Sequence, residues 1–188
     1  MLFENPLTKS RELRVHIDAP CAVETFSEYF NIMLDECFVP SPIIILCIGT
    51  DRSTGDSLGP LVGEKLKKSC THAKVMGTLS EPVHAGNLSK VLEQIHKLYP
   101  NPFIIAIDAS LGCFENVGTI KLARGSIKPG AGVNKDLPPV GDFHITGIVN
   151  VGGFMEYFVL QNTRLYVVMK MAEIISEGIN KGFSKFFS

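Results

Sequence analysis

The chain has 188 residues, 45% of them apolar and 20% charged, with a formal net charge of −1. That length fits one domain with a substantial core, and the balanced charge argues against nucleic acid or an anionic membrane as a partner. Five cysteines without a C-x-x-C spacing argue against a disulfide framework or a zinc site.

The opening MLFENPLTKSRELRVHID has no basic start followed by a long apolar run, so no signal peptide is expected. No window approaches the roughly 20 apolar residues of a membrane span, and the expected location is the cytoplasm. Residues 1–20 carry little pattern and are expected to form a partly ordered arm, with 21–188 as a single α/β domain. From Ala22 to about Phe38, apolar residues at three- and four-residue steps predict an amphipathic helix, which Pro40 and Pro42 end. IIILCI (43–48) is a continuous apolar run, as in a strand buried on both faces of a parallel sheet; Cys47 within it reads as a small core residue. A helix is expected from about Ser57, with Pro60 tolerated in its first turn. KVMGTL (74–79) reads as a short strand. Asn87 is the expected cap of a helix that turns Leu88, Val91, Leu92, Ile95 and Leu98 inward.

FIIAID (103–108) repeats the buried-strand pattern and ends on Asp108. TIKLARG (119–125) alternates and predicts a half-exposed strand near an edge. Residues 126–142, rich in Gly and Pro, predict a loop. From Ile145 onward the chain is expected to be helical, interrupted near Gln161–Thr163; a last helix carries Leu165, Val168, Met169, Ala172, Ile175, Ile179 and Phe183. This order gives a three-layer α/β/α sandwich around a mostly parallel sheet. Ligands of such sheets bind beyond the carboxyl ends of the strands, which places the turn after Ile48 and Asp108 on one rim.

The turn itself reads CIGTDRSTGDSLGP (47–60). It lacks the spacing and lysine of a phosphate-binding P-loop, and Gly49, Gly55 and Gly59 do not make a dinucleotide fingerprint. Asp51 and Asp56 would repel a phosphate. The glycines fit a sharp turn and a close backbone approach to substrate. Asp56 or Ser57 also suits a helix cap, and Asp51 an Asx turn. Yet Asp56 and Asp108 fall at two strand ends of one sheet and are expected to face each other. Carboxylates held close cannot both ionise freely, so one keeps its proton: an acid and a base for activating water against a peptide carbonyl. The same pair suits a divalent metal. His144, in GDFHITG, is the third candidate, expected just before a helix and within reach of the rim. His84, in EPVHAGN, is a weaker one, grouped with Gly49, Asp51, Gly55 and Gly59 around the substrate.

TGDSLGP together with FIIAIDASLG resembles the spore germination protease at the segments carrying its catalytic aspartates, which correspond to Asp56 and Asp108. PGAGVNKDLPPVG (129–141) resembles a glycine-rich stretch of the same family. The strand–turn aspartate with the later DFHITG resembles the hydrogenase maturation proteases. In those, two acidic residues and a histidine bind the substrate's nickel; the matching positions are Asp56, Asp108 and His144. The chain as a whole, with its HAGNL segment and C-terminal helix, looks most like the YyaC-like sporulation proteins. The resemblance implies a cytoplasmic, sporulation-associated endopeptidase of aspartic or metal-assisted type acting on a protein or peptide, alone or as a homo-oligomer. It fixes no cofactor and admits one divalent ion, Ni²⁺, Zn²⁺ or Mn²⁺. The alternative is a catalytically silent peptide- or metal-binding protein of the same fold.

Overall fold

Ile43–Cys47 and Phe103–Ile107 are buried at every position, and this places both in the middle of a covered sheet. The computed structural model describes residues 12–38, 40–129 and 137–188. Most of the expected arm (1–11) and most of the glycine-rich stretch (130–136) lie outside the described residues. The strands are β1 (Glu12–His16), β2 (Ile43–Cys47), β3 (Lys74–Met76), β4 (Phe103–Gly112), β5 (Thr119–Arg124) and β6 (Phe143–Val151), in the order β1-β5-β6-β4-β2-β3. β6, β4, β2 and β3 run parallel, while β5 is antiparallel to both of its neighbours.

Five α-helices accompany the sheet among the described residues: α1 (Ala22–Cys37), α2 (Leu58–Ser69), α3 (Leu88–Leu98), α4 (Glu156–Gln161) and α5 (Leu165–Phe186). One sheet face carries Ile43, Ile45, Cys47, Ile105, Ile107, Phe143 and Ile145 against α1, α2 and α5. Phe30 of α1 stands edge-on to Phe143 and Phe183, locking α1 and α5 to the sheet. The other face, with Ile44, Leu46, Ile104 and Ala106, is covered by α3 and by Leu137 and Val140. The architecture is the expected three-layer α/β/α sandwich with a mostly parallel sheet.

Three local expectations change. Residues 12–16 pair with β5 instead of belonging to an arm, because Leu13, Val15 and Ile17 alternate inward. That pairing makes β1 the edge and β5 an interior strand. The segment from Ile145 is not helical: Phe143–Val151 is β6, turning Phe143, Ile145 and Val149 into the core. At the helix surfaces, Leu98 (68% exposed) faces outward instead of inward, and Leu165 (57%) and Met169 (40%) on the last helix are exposed as well.

All five cysteines are free. Cys47 is fully buried, and loss of hydration pushes its thiol far above the usual range, whereas Cys21 and Cys113 are exposed. Alkylation of the native protein followed by mass analysis should label Cys21 and Cys113 first and Cys47 last. After denaturation without reductant, five labels are expected; a protected pair would refute this.

Candidate active site

β2 ends at Cys47, and the chain turns away at once. Gly49 has φ +144°, and a Cβ there would lie 2.0 Å from the Asp56 carbonyl oxygen. Thr50 N–H donates to that same carbonyl at 3.0 Å, and Gly49 N–H donates to Val83 O at 2.7 Å. The loop is thereby folded back on itself, presenting Asp56 from a single 3-10 turn (Gly55–Ser57) that leads into α2. Gly55 and Gly59 were expected to let the backbone approach substrate, and here the structure corrects the reading. Gly55 packs on Leu160 and Thr163, while Gly59 sits on the backbone of Ile48, where a Cβ would lie 2.1 Å from the carbonyl oxygen. Both serve the fold that aims Asp56, and of the three glycines only Gly49 lines the cleft.

The cleft opens beyond the carboxyl ends of β2 and β4 with a volume of about 700 Å³, within the range of ligand sites. Asp51, Asp56, His84 and Asp108 all line it. Neither Ser57 nor Thr54, at the starts of the two helical turns, makes a side-chain cap; Ser57 Oγ donates to Thr54 O instead. The turn at Thr50–Arg52 uses Thr50 Oγ1, not Asp51, to accept the Arg52 N–H.

Partial burial raises the Asp56 carboxyl above its ordinary value of 3.8; the nearby Ser53 hydroxyl pulls weakly the other way. That hydroxyl is itself buried without a well-formed hydrogen bond. Of the two effects expected to oppose ionisation here, mutual repulsion and partial desolvation, it is desolvation that raises this carboxyl. Asp108 is oriented by its own neighbour, with Oδ1 accepting the Ala109 N–H at 2.9 Å.

His84 is fixed in a compact turn: Gly86 N–H donates to its Nδ1 at 3.0 Å, so the ring proton of the neutral form sits on Nε2. Asn87 does not cap α3 with its side chain. It accepts from His84 N–H and donates to Pro82 O, tying the HAGN turn together.

His144 does not join the pair. It lies within β6 beside Ala106, is 8% exposed, and its Nδ1–H donates to Gly125 O at 2.8 Å. The reason is β6 itself: a strand, unlike a loop before a helix, holds the ring two residues short of Thr146, the partner of Asp108. Among the described residues no group of three or more His, Cys, Asp or Glu side chains could hold a metal ion. The expected Asp56–Asp108–His144 metal set is therefore not assembled.

Burial holds the His144 ring below its ordinary 6.5. A base depressed on folding contributes stability that is present above its unfolded pKa and lost as pH falls from there through the lower folded pKa. Acidification from pH 7 to below 6 should therefore destabilise the protein more than its His144→Gln variant in thermal melts. Ni²⁺, Zn²⁺ or Mn²⁺ should shift both melts equally; a shift seen only with the histidine would restore it to a metal site.

Arg52, Lys128, Thr146, Glu156, Tyr157 and Leu160 also line the cleft and escaped the sequence reading. Glu156 and Tyr157 follow the Gly152–Gly153 turn at the end of β6, which sets α4 on the same rim.

The chain matches a family model described as "Protein of unknown function (DUF1256)" over residues 14–178. It is 63% identical over 140 residues to "Uncharacterized protein YyaC" of Bacillus subtilis (strain 168), covering 74% of this chain and 68% of that one. Its fold is similar to the crystal structure of a [NiFe] hydrogenase maturation protease HycI from Thermococcus kodakarensis KOD1. That similarity has a TM-score of 0.52 and 19% identity, and covers 81% of this chain and 99% of that one. Among the described residues no helix is long and apolar enough to cross a membrane.

Proposed function

We infer that this chain, which belongs to the DUF1256 family, is an endopeptidase that hydrolyses a protein or peptide substrate at Asp56 and Asp108. The observation that carries the reading is one cleft, at two parallel-strand ends, holding both carboxylates with Asp56 partly desolvated. Asp56, keeping its proton to higher pH, gives it to the leaving amine. Asp108, oriented by the Ala109 N–H, takes a proton from the attacking water. His84 Nε2–H is a donor for the substrate carbonyl. The protease-like fold supports this assignment. The resemblance of TGDSLGP and FIIAIDASLG to the germination protease, and of the whole chain to the YyaC-like proteins, supports a role in sporulating cells.

A second reading is a silent peptide-binding protein. It is favoured by the origin of the Asp56 shift, which is burial opposed by the Ser53 hydroxyl and so needs no second carboxylate. Oxygen-labelled water separates the two. With an unfolded protein such as reduced, carboxymethylated lactalbumin, an enzyme places one labelled oxygen at each new carboxyl terminus. Unlabelled, uncut chains that nonetheless co-purify with the protein would favour binding alone.

A further inference from the structure

β4 is longer than its partner on one side. The last β2–β4 pair is Cys47 with Ile107, yet β4 runs on to Gly112 with β6 along its other side. Ile48 N–H donates to Ile107 O at 2.7 Å, so the backbone of Ile107 faces β2. Alternation along a strand then aims the backbone groups of Ala109 and Leu111 the same way. The register shift between Ser110 and Leu111 does not upset this, because the extra residue, Val149, lies on β6. Among the described residues no strand pairs with that side of β4 beyond Ile107. Asp108, Ala109, Ser110 and Leu111 all line the cleft; one wall of the candidate active site is thus an open strand edge.

We propose that the substrate binds as an added strand along this edge, an extended polypeptide segment whose backbone pairs with the Ala109 carbonyl and with Leu111, the Ala109 N–H being held by Asp108 Oδ1. An exposed edge is a template for another chain, and strand addition takes affinity from the main chain and specificity from alternate side chains. A helical ligand cannot serve, since its own N–H groups are already bonded within the helix. Four edge residues span about 13 Å at about 3.3 Å per residue, enough to lay a peptide bond beside Asp108 with a residue on either side. The cleft supplies Ile48, Leu111, Ile127, Leu137, Tyr157 and Leu160 around that path, so the segment carries an apolar side chain next to the bond presented. The inference rests on the peptidase reading for the choice of site, but strand addition itself requires no catalysis.

The test uses the full chain carrying Asp56→Asn, so that a bound peptide is not consumed. Peptides are selected on it from a displayed random library. The best binder is then synthesised with each amide N-methylated in turn, and hydrogen exchange is followed with and without it. Strand addition predicts losses of affinity of about tenfold or more at alternating amides only, with slowed exchange at residues 108–112. Three results would overturn it: indifference to N-methylation, protection confined to the exposed Phe154–Tyr166 region, or no peptide selected. Edge binding of a peptide that the unmodified protein never cuts would instead defeat the peptidase reading and leave strand addition standing.

Discussion

Asp56→Asn and Asp108→Asn should each leave the protein folded and each lower peptide-bond cleavage by at least about a hundredfold, the usual scale of a lost proton transfer. The amide keeps the shape of the carboxyl but can neither take nor give the proton. The double variant should be no worse than the poorer single, because members of one catalytic unit are not additive. Stability should move the other way at position 56. A carboxyl whose pKa is raised on folding opposes folding once ionised, so its penalty appears as pH rises through 3.8 and is complete above the folded value. At pH 7 the Asp56→Asn protein should be more stable by up to about 1 kcal/mol, since partial exposure screens the penalty. Below pH 3.8 the gap should close. Urea melts at both pH values, alongside cleavage assays, decide the matter. Unfolding by either substitution would make the aspartates structural, and undiminished cleavage would place the chemistry elsewhere.

Gly59→Ala should destabilise the protein by about 3 kcal/mol, a large part of the 5–15 kcal/mol typical of a domain. Helix propensity alone predicts the opposite sign, a gain of about 0.5–1 kcal/mol for replacing a helical glycine. The close approach wins. A Cβ at this position would lie 2.1 Å from the Ile48 carbonyl oxygen and 2.7 Å from its nitrogen, and neither backbone atom can move without displacing β2. Since α2 begins directly after the turn that carries Asp56, cleavage should fall along with stability. Gly86→Ala is the control, because its Cβ would meet only the tip of the His84 ring at 3.0 Å, and it should cost much less. Thermal melts of both variants separate the accounts: a stabilised Gly59→Ala would mean that α2 can draw back from the strand.

What was legible in the sequence follows from how local each signal is. IIILC and FIIAI are apolar at every position because both sheet faces are covered, and a run of that kind has few other uses. The positions of Asp56 and Asp108 followed from a general rule about strand ends. β1 was missed because Leu13, Val15 and Ile17 alternate for only a few residues inside a charged segment, and their partner, β5, lies more than 100 residues away. β6 was misread because the irregularity at Val149 breaks its alternation, leaving Ile145, Ile148 and Val149 at helical spacing. That one misreading moved His144 into a loop it does not occupy and hid Glu156 and Tyr157, whose place on the rim depends on where β6 ends. How strongly Asp56 is desolvated depends on three-dimensional packing, so the direction of its shift was legible in the sequence and its extent was not.

The central claim is that Asp56 and Asp108 act together to cut a polypeptide. The most direct measurement incubates the purified protein, in parallel with its Asp56→Asn and Asp108→Asn variants, with a protein extract of sporulating cells and maps the new amino termini. The account predicts a set of termini produced by the unmodified protein and absent from both variants, with an apolar residue recurring beside the cut. The same termini from all three proteins, or none from any of them, would contradict it.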